Sequence, residues 1–294
     1  MSENQKKTII VSHRLRGFDI HDASFKGLQN ALSKDIAHFE VDCRVTKDGE
    51  IVIHHDAKLG IDFSSRPYIA DKTLDELKNI QYGNSNASIL TLDELLVTIA
   101  PYKKVNLYLD IKERGKEDKI IEKAAELNLL GNITIVSWLP EVLFEINRLL
   151  PSMQLCFSFY PVCNSFAARL NYFNAKAKTS FHLDKNARNT FLFDSYNNEI
   201  EATGKYGFDF EHFVSLPLNG KLLEVLQSVN GIVCLNYKLP TEAFIQQLKK
   251  QNMRICLYSI NTKEDLQKYT TKFQPDIVLT DNFALLDNQT SHPN

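Results

Sequence analysis

The sequence predicts a single (β/α)8 TIM barrel with a long insertion between strands five and six. Short apolar runs alternate with amphipathic helical stretches along most of the 294 residues, a pattern typical of a parallel sheet. There are eight such runs, and eight repeats favour closure into a barrel. An open doubly wound sheet is the alternative, but the sequence lacks the glycine-rich phosphate loop G-x-G-x-x-G that is usual in that fold.

The predicted strands are short apolar runs. In chain order they are TIIVS (8–12), HFEVD (38–42), VNLYLDI (105–111), ITIVSW (133–138), QLCFSF (154–159), GIVCLNY (231–237), RICLYSI (254–260) and DIVLTD (276–281). The predicted helices lie between them, at 24–34, 91–100, 116–129, 139–150, 239–251 and 262–272. Several of these helices open with Ser, Thr or Asp, residues that cap helix N-termini.

One segment, residues 160–230, breaks the alternation. It is far longer than an ordinary strand–helix connection and is rich in Phe, Tyr and Asn. Because it follows the fifth strand, we expect it to lie over the C-terminal mouth of the barrel as a lid or cap within one domain of residues 1–294. A second small domain or an oligomer interface is the alternative for this segment.

The composition is that of an ordinary globular protein, with 44% hydrophobic and 24% charged residues. The net charge of −2 gives no basic surface for nucleic acid. No apolar stretch reaches the roughly 18 residues of a membrane helix, and the polar start MSENQKK has no signal-peptide core. The five cysteines are odd in number; three lie in predicted strands and a fourth, Cys43, directly follows one, so we expect buried, reduced thiols in a cytoplasmic protein.

Acidic side chains collect at the C-terminal ends of the second and third predicted strands. Glu40 and Asp42 share one face of the second strand because strand side chains alternate, and Asp110 lies near the end of the third. Strand ends of a barrel converge on one site, and carboxylate oxygens suit Mg²⁺ or Ca²⁺. With Arg14 and Lys112 beside it, such an ion would attract an anion, phosphate being the obvious one.

Two histidines are expected at the same mouth as proton carriers, His13 after the first strand and His55 after the turn that follows the second. His54 precedes His55, and strand alternation points it away, so we expect it to be structural. Taken singly, each of these residues has an ordinary structural explanation; their joint position at strand ends favours a site. Further strand-end residues are expected to line the substrate: Trp138, Phe159, Tyr258 and Asn261.

Together these residues resemble the motifs of the glycerophosphodiester phosphodiesterases. That family has His-Arg ending strand one, Glu-x-Asp on strand two, a Thr-Lys-Asp-Gly turn leading to His-Asp, and an acid-x-Lys on strand three. Here the motifs stand at His13–Arg14, Glu40–Asp42, Thr46–Gly49, His55–Asp56 and Asp110–Lys112. The resemblance continues in ILTLDELL (89–96), Ser137, LYSIN (257–261) and DIVLTDN (276–282), so it spans both ends of the chain.

The resemblance implies hydrolysis of a glycerophosphodiester or related sugar phosphodiester, a small-molecule substrate, to a phosphomonoester and an alcohol. The roles it implies are His13 and His55 as the acid–base pair, Arg14 and Lys112 at the phosphate, and Glu40, Asp42 and Asp110 around one divalent cation, Mg²⁺ or Ca²⁺. Two alternatives remain open. One is a diester synthase, transferase or cyclic-phosphate-forming lyase with the same site, and the other is a barrel that binds a phosphodiester without turnover.

Three departures from the family's motifs bear on substrate identity. Leu15 follows His-Arg where the family usually has glycine, and Asp22, Ala23 and Ser24 stand where it usually has Glu-Asn-Thr. The strand-three acid is Asp110 rather than Glu, one methylene shorter. We expect a metal site of shifted geometry and a leaving group other than the common ones.

Overall fold

The computed structural model describes residues 7–83, 85–158, 218, 220–238 and 240–286. Its strands are β1 Ile9–His13, β2 His38–Val45, β3 Ile51–Ile53, β4 Asn106–Ile111, β5 Ile133–Ser137, β6 Gln154–Ser158, β7 Ile232–Asn236, β8 Arg254–Tyr258 and β9 Ile277–Thr280. All except β3 run parallel, and β1 pairs with both β2 and β9, which closes the ring. The predicted eight-stranded TIM barrel is confirmed, with all eight predicted strands in place.

The helices lie between the barrel strands: α1 Phe25–Ser33, α2 Leu74–Lys78, α3 Leu92–Ile99, α4 Glu117–Glu126, α5 Pro140–Leu149, α6 Gly220–Ser228, α7 Glu242–Lys250 and α8 Lys263–Phe273. All six predicted helices are confirmed, and α2 and α6 are additions. Helix α6 lies inside the segment 160–230, whose residues before it are, apart from Leu218, outside the described residues. Its role as a lid or cap therefore stays a prediction. In the part of the chain that the structure describes, no helix is long and apolar enough to cross a membrane.

Side-chain capping explains where several helices begin. A Ser or Thr hydroxyl accepts the backbone N–H of the residue three positions later, which satisfies one of the helix's open donors. At α3 the cap is reciprocal, because the Glu94 carboxylate also accepts the Thr91 backbone N–H at 2.8 Å. The capping residues of this kind are Ser24, Thr73, Thr91, Thr241 and Thr262.

The barrel interior is a packed core rather than a channel. Its buried side chains are Val11, Tyr108, Val136, Cys156, Ile232, Cys234, Cys256, Ile277 and Leu279. A second, larger layer of apolar residues joins the outer faces of the strands to the helices. Four of the five cysteines are buried and free, as predicted, and Cys163 is outside the described residues. Because this core fills the barrel, polar strand-end residues can meet only at its mouth.

Strand β3 was not predicted, and it explains how the chain returns to the barrel mouth. β2 runs on past Asp42 to Val45 and pairs there with β3 in antiparallel register. The intervening turn is closed by the Gly49 N–H, which donates to the Thr46 carbonyl at 3.0 Å. Gly49 has a φ of 82°, a conformation that glycine adopts without steric cost. His55 lies two residues after β3 and so returns to the end of β2.

Replacing Thr91 by Ala should lower the free energy of unfolding by about 1 kcal/mol, because the α3 N-terminus loses a capping hydroxyl. Thr91→Ser should keep most of that stability, since serine offers the same acceptor. Denaturant unfolding measures both. Thr98→Ala in the same helix is the control, because among the described residues its hydroxyl bonds only to the Glu94 carbonyl. Equal losses for Thr91→Ala and Thr98→Ala would contradict the capping role.

Candidate active site

Strand register brings the three predicted acids together at the barrel mouth. His13 of β1 pairs with Glu40 of β2, and Asp42 of β2 pairs with Asp110 of β4. Each acid offers one carboxylate oxygen, and these three oxygens all lie within 4.8 Å of one another. The three side chains are almost completely buried. The sequence-predicted triad is therefore one compact cluster.

Two cations contact this triad, but they do not balance its charge. The Lys112 Nζ lies 2.9 Å from Asp42 Oδ1 and also contacts Asp110 Oδ2. The Arg14 Nε lies 3.3 Å from Asp42 Oδ2. Three carboxylates against two cations leave an excess of negative charge when all are ionised. In a buried site this excess is unfavourable, because little water is present to screen it.

The pKa values of the acids reflect the same imbalance. Burial, together with the charges of Asp42 and Asp110, raises the pKa of Glu40 well above its ordinary value. Burial also raises the pKa of Asp110 to about 6, against the lowering effect of Lys112. Burial acts to raise the pKa of Asp42 too, but the positive charges of Lys112 and Arg14 outweigh it and hold that pKa well below normal. A further cation in the cluster would remove the unfavourable repulsion.

The donor set fits a divalent cation. Asp110 Oδ1 is buried and has no hydrogen-bond partner among the described residues, and a buried polar atom without a partner is costly. Carboxylate oxygens are the hard ligands that Mg²⁺ and Ca²⁺ take. Glu40, Asp42 and Asp110 are thus a buried acidic triad able to hold a metal ion.

His13 is held by a carboxylate from the opposite end of the chain. Its Nδ1 lies 2.6 Å from Asp281 Oδ1, just past the end of β9. Asp281 in turn accepts the Asn261 Nδ2–H at 2.9 Å and the Arg16 Nη1–H at 2.9 Å. The other ring nitrogen of His13, Nε2, lies 3.7 Å from Glu40 Oε2. One side of the ring is therefore fixed while the other faces the acidic triad.

His55 has a matching arrangement with a partner next to it in sequence. Its Nδ1 lies 2.6 Å from Asp56 Oδ1. Burial acts to raise the pKa of Asp56, but the hydrogen bond from His55 acts against it, and that pKa is lowered to about 2. An ionised carboxylate can only accept, so the proton between the two belongs to the His55 Nδ1, and its Nε2 carries the lone pair. The same reasoning assigns the Nδ1–H tautomer to His13, because its hydrogen bond and charge hold the pKa of Asp281 below normal despite burial.

Both imidazoles are neutral in this environment. Burial and the charge of Arg14 lower the pKa of His13, even though Asp281 acts in the opposite direction. The same two causes, in the same order, lower the pKa of His55 to about 3. A neutral imidazole with a fixed Nδ1 proton is ready to accept a proton at Nε2.

The four residues predicted to line the substrate are placed differently from one another. Tyr258 is half-buried at the end of β8, whereas Trp138 is 2% exposed and packs in the core between strands and helices. Asn261 holds Asp281 through two hydrogen bonds. Phe159 is outside the described residues. Contact with a substrate stays a prediction for all four.

His54 occupies the structural position predicted for it. The residue is half-buried, and its Nε2 lies 2.9 Å from the Lys58 carbonyl oxygen. The ring also packs edge-on against Phe63, with centroids 5.7 Å apart. These contacts belong to a small satellite core formed by the segment between β3 and α3.

Sequence reasoning assigned no role to several residues that organise the site. Asp56 and Asp281 were present in the quoted His-Asp and Thr-Asp-Asn motifs, but their hydrogen bonds to histidine depend on three-dimensional placement. Arg44 follows Glu40 and Asp42 at the strand period of two, which was the available signal for an inward-facing side chain. Glu113 carried no such signal, since it lies past the end of β4.

The loop after β1, in which the sequence departs from the family's motifs, contains residues with a left-handed backbone conformation. Arg14 and Leu15 have φ values of 57° and 53°, and Ala23 has 47°. Such angles are uncommon outside glycine. The Ala23 N–H donates to the Arg14 carbonyl at 2.9 Å, so the position where the family usually has Asn lies directly beside Arg14.

The fold and the site together define a TIM-barrel protein with a buried acidic triad and two carboxylate-bound histidines at the mouth of the barrel. The Glycerophosphoryl diester phosphodiesterase family model matches residues 13–285, and the chain belongs to that family.

Two curated proteins with low sequence identity to this chain are named glycerophosphodiester phosphodiesterases. The chain is 25% identical over 160 residues to the glycerophosphodiester phosphodiesterase of Caldanaerobacter subterraneus subsp. tengcongensis, a match covering 51% of this chain and 65% of that protein. It is 23% identical over 171 residues to the glycerophosphodiester phosphodiesterase of Bacillus subtilis, a match covering 50% of this chain and 58% of that protein. The chain thus spans less than two thirds of the length of these relatives.

Solved structures show the same fold over nearly the whole chain. A protein of Galdieria sulphuraria aligns with a TM-score of 0.69 and 17% identity, covering 99% of this chain and 100% of that one. A phosphodiesterase of Oleispira antarctica, solved in complex with the product sn-glycerol-3-phosphate, aligns with a TM-score of 0.63 and 16% identity, covering 95% of each chain.

Replacing Asp110 by Asn should weaken Mg²⁺ and Ca²⁺ binding by at least about tenfold, because the triad loses a charged oxygen donor. Isothermal titration measures the affinity. Each ion should also raise the melting temperature of the unmutated protein, since it binds the native state alone. Asp118→Asn, an exposed acid in the first turn of α4, is the control. Unchanged affinity in Asp110→Asn would remove Asp110 from the ligand set.

Proposed function

We propose that this chain hydrolyses a glycerophosphodiester or related sugar phosphodiester to a phosphomonoester and an alcohol. One observation carries the proposal. Two neutral histidines, each fixed at Nδ1 by its own carboxylate, lie at the same barrel mouth as a buried triad of acids with excess negative charge. Membership of the family supports this reaction class, and the product bound by the Oleispira antarctica relative is a phosphomonoester of glycerol.

The proposed cation site consists of Glu40, Asp42 and Asp110. When bound there, a divalent ion, Mg²⁺ or Ca²⁺, supplies Lewis-acid polarisation and neutralises charge on the phosphoryl oxygens. It would also turn the excess negative charge of the cluster into a positive one, which favours an anionic diester. Arg14 and Lys112, already within reach of Asp42, are the side chains proposed to contact the phosphate.

The two histidines are proposed to move the protons of the reaction. One takes a proton at Nε2 from the attacking hydroxyl, which belongs either to water or to the glycerol of the substrate. The other gives a proton from its Nε2 to the departing alkoxide, which is a poor leaving group without it. Because this ring is neutral at rest, it first takes up that proton from water, and the proton gained by the first ring returns to water afterwards. Because both rings are held by carboxylates in the same way, the side on which the alcohol leaves decides which of His13 and His55 is the acid.

The loop after β1 is proposed to select a leaving group other than the common ones. Ala23 contacts the backbone of Arg14 and offers no amide side chain to the site. Leu15 is apolar and fully buried, so it presents no polar group to the site either. A less polar loop beside a phosphate-contacting arginine favours a headgroup with fewer hydrogen-bonding groups on that side.

Phosphorus NMR of the purified protein with a panel of glycerophosphodiesters and sugar phosphodiesters tests the reaction. We expect a phosphomonoester in the presence of Mg²⁺ or Ca²⁺ and none with EDTA. His13→Ala and His55→Ala should each lower kcat by about 10²-fold or more, because each removes a proton-transfer group. His38→Ala, at the opposite end of β2, is the control for folding.

The product separates the proposal from its alternatives. A cyclic phosphate or a new diester would replace hydrolysis by the cyclising or transfer reaction. Absence of turnover across the panel, with a cation bound, would reject an enzymatic function for this site. If simple glycerophosphodiesters were the best substrates, the proposed selectivity of the loop after β1 would be wrong.

Asp281→Asn and Asp56→Asn should each lower kcat by about 10²-fold while KM changes little, because the amide no longer fixes the Nδ1–H tautomer of its histidine. Steady-state kinetics on the best diester of the panel measures both constants. Asp62→Asn is the matched control, because Asp62 is an exposed acid whose Oδ2 lies 3.4 Å from the Nδ1 of His21. Equal kcat in the unmutated protein and both variants would show that the carboxylates do not orient the histidines.

A further inference from the structure

Arg44 is a buried arginine that reaches the backbone of His55. It lies on the same face of β2 as Glu40 and Asp42, one alternation further along the strand. Its side chain is 2% exposed. The Nε and Nη2 of its guanidinium donate to the His55 carbonyl oxygen at 2.9 Å and 2.7 Å. Two charge-assisted hydrogen bonds from one rigid group hold that carbonyl in a defined place.

Glu113 completes the arrangement by balancing the charge of Arg44. Its Oε1 lies 3.1 Å from Arg44 Nη1, and its Oε2 accepts the Val45 backbone N–H at 2.7 Å. A buried guanidinium without such a partner would be strongly unfavourable. The pair therefore ties the end of β2, the chain after β4 and the segment that carries His55 into one unit.

His55 depends on this unit because it lies beyond the regular sheet. The preceding His54 N–H still donates to the Asp42 carbonyl at 2.9 Å, but strand β3 itself ends at Ile53. From there on, Asp56 holds the ring at Nδ1 and Arg44 holds the backbone carbonyl. Hydrogen bonds at both ends of one residue restrict where its Nε2 can lie.

We propose that Arg44, charge-paired with Glu113, is a positioning residue that sets the location of the His55 imidazole at the barrel mouth. The proposal rests on the function proposed above for His55. Arg44 acts through the backbone of His55, because all three of its guanidinium nitrogens are already bonded to His55 and Glu113. Misplacing a reacting group by about 1 Å can cost about 10²-fold in rate.

The test compares Arg44→Met with Arg44→Lys. Methionine keeps an unbranched apolar stem and removes every donor, whereas lysine keeps the charge and a single donor group. We expect kcat to fall about 10²-fold in Arg44→Met and less in Arg44→Lys, with KM within about twofold of the unmutated value in both. Arg148→Met is the matched control, since Arg148 pairs only with Glu145 on the exposed side of α5 among the described residues and should keep full activity.

A second readout follows His55 without using activity. Histidine ring signals in ¹H–¹³C NMR spectra can be assigned by their loss in His55→Ala and His13→Ala. In Arg44→Met the His55 signal should shift or broaden while the His13 signal stays in place. If Arg44→Met does not fold, the same two readouts on Arg44→Lys and Glu113→Gln decide the question.

The outcomes separate this inference from the proposed function. Unchanged kcat and an unchanged His55 signal in Arg44→Met would overturn the positioning role. Equal disturbance of both histidine signals, with KM and the melting temperature altered as well, would make Arg44 a general structural residue and also overturn it. A shifted His55 signal in a protein that turns over no diester would leave the positioning role standing and reject the function.

Discussion

Glu40, Asp42 and Asp110 place three carboxylate oxygens within 4.8 Å of one another where water barely reaches. Like charges this close are strongly unfavourable in a buried site unless opposite charges compensate them. Lys112 and Arg14 compensate this negative charge only in part. Burial first, and then the charges of Asp42 and Asp110, therefore raise the pKa of Glu40 well above its ordinary value. Much of the polar structure at the barrel mouth follows from this concentration of charge. A stable protein tolerates such a cluster because the closed β-sheet fixes the strands that carry it.

Barrel closure also determines how the histidines are held. β1 pairs with β9, the last strand of the described residues, and this pairing brings Asp281 to His13 across 268 positions of sequence. His55 obtains the same kind of partner locally, from Asp56, but its backbone relies on Arg44 and Glu113. The two rings therefore have the same hydrogen bond at Nδ1 and very different supports. Disturbing one support should leave the other histidine in place.

The sequence alone predicted the architecture and the acids and histidines that meet at the barrel mouth. Hydrophobic periodicity is a local property, so the eight barrel strands and six helices could be located from it. The strand period of two placed Glu40 and Asp42 on one face, and the rule that strand ends converge added Asp110, His13 and His55. Strand β3 was missed because its three residues are too short to show a period. Helix α6 was missed because it lies in the segment assigned to the insertion.

What only the tertiary structure decided is which groups contact each other. No local pattern in the sequence reveals that Asp281 bonds His13, that Lys112 bridges Asp42 and Asp110, or that Arg44 faces the His55 carbonyl. These contacts depend on strand register and on barrel closure, which long-range packing sets. The protonation states follow from them, since burial and neighbouring charge fix each pKa. The sequence thus determined which residues reach the barrel mouth, and the fold determined how they are paired there.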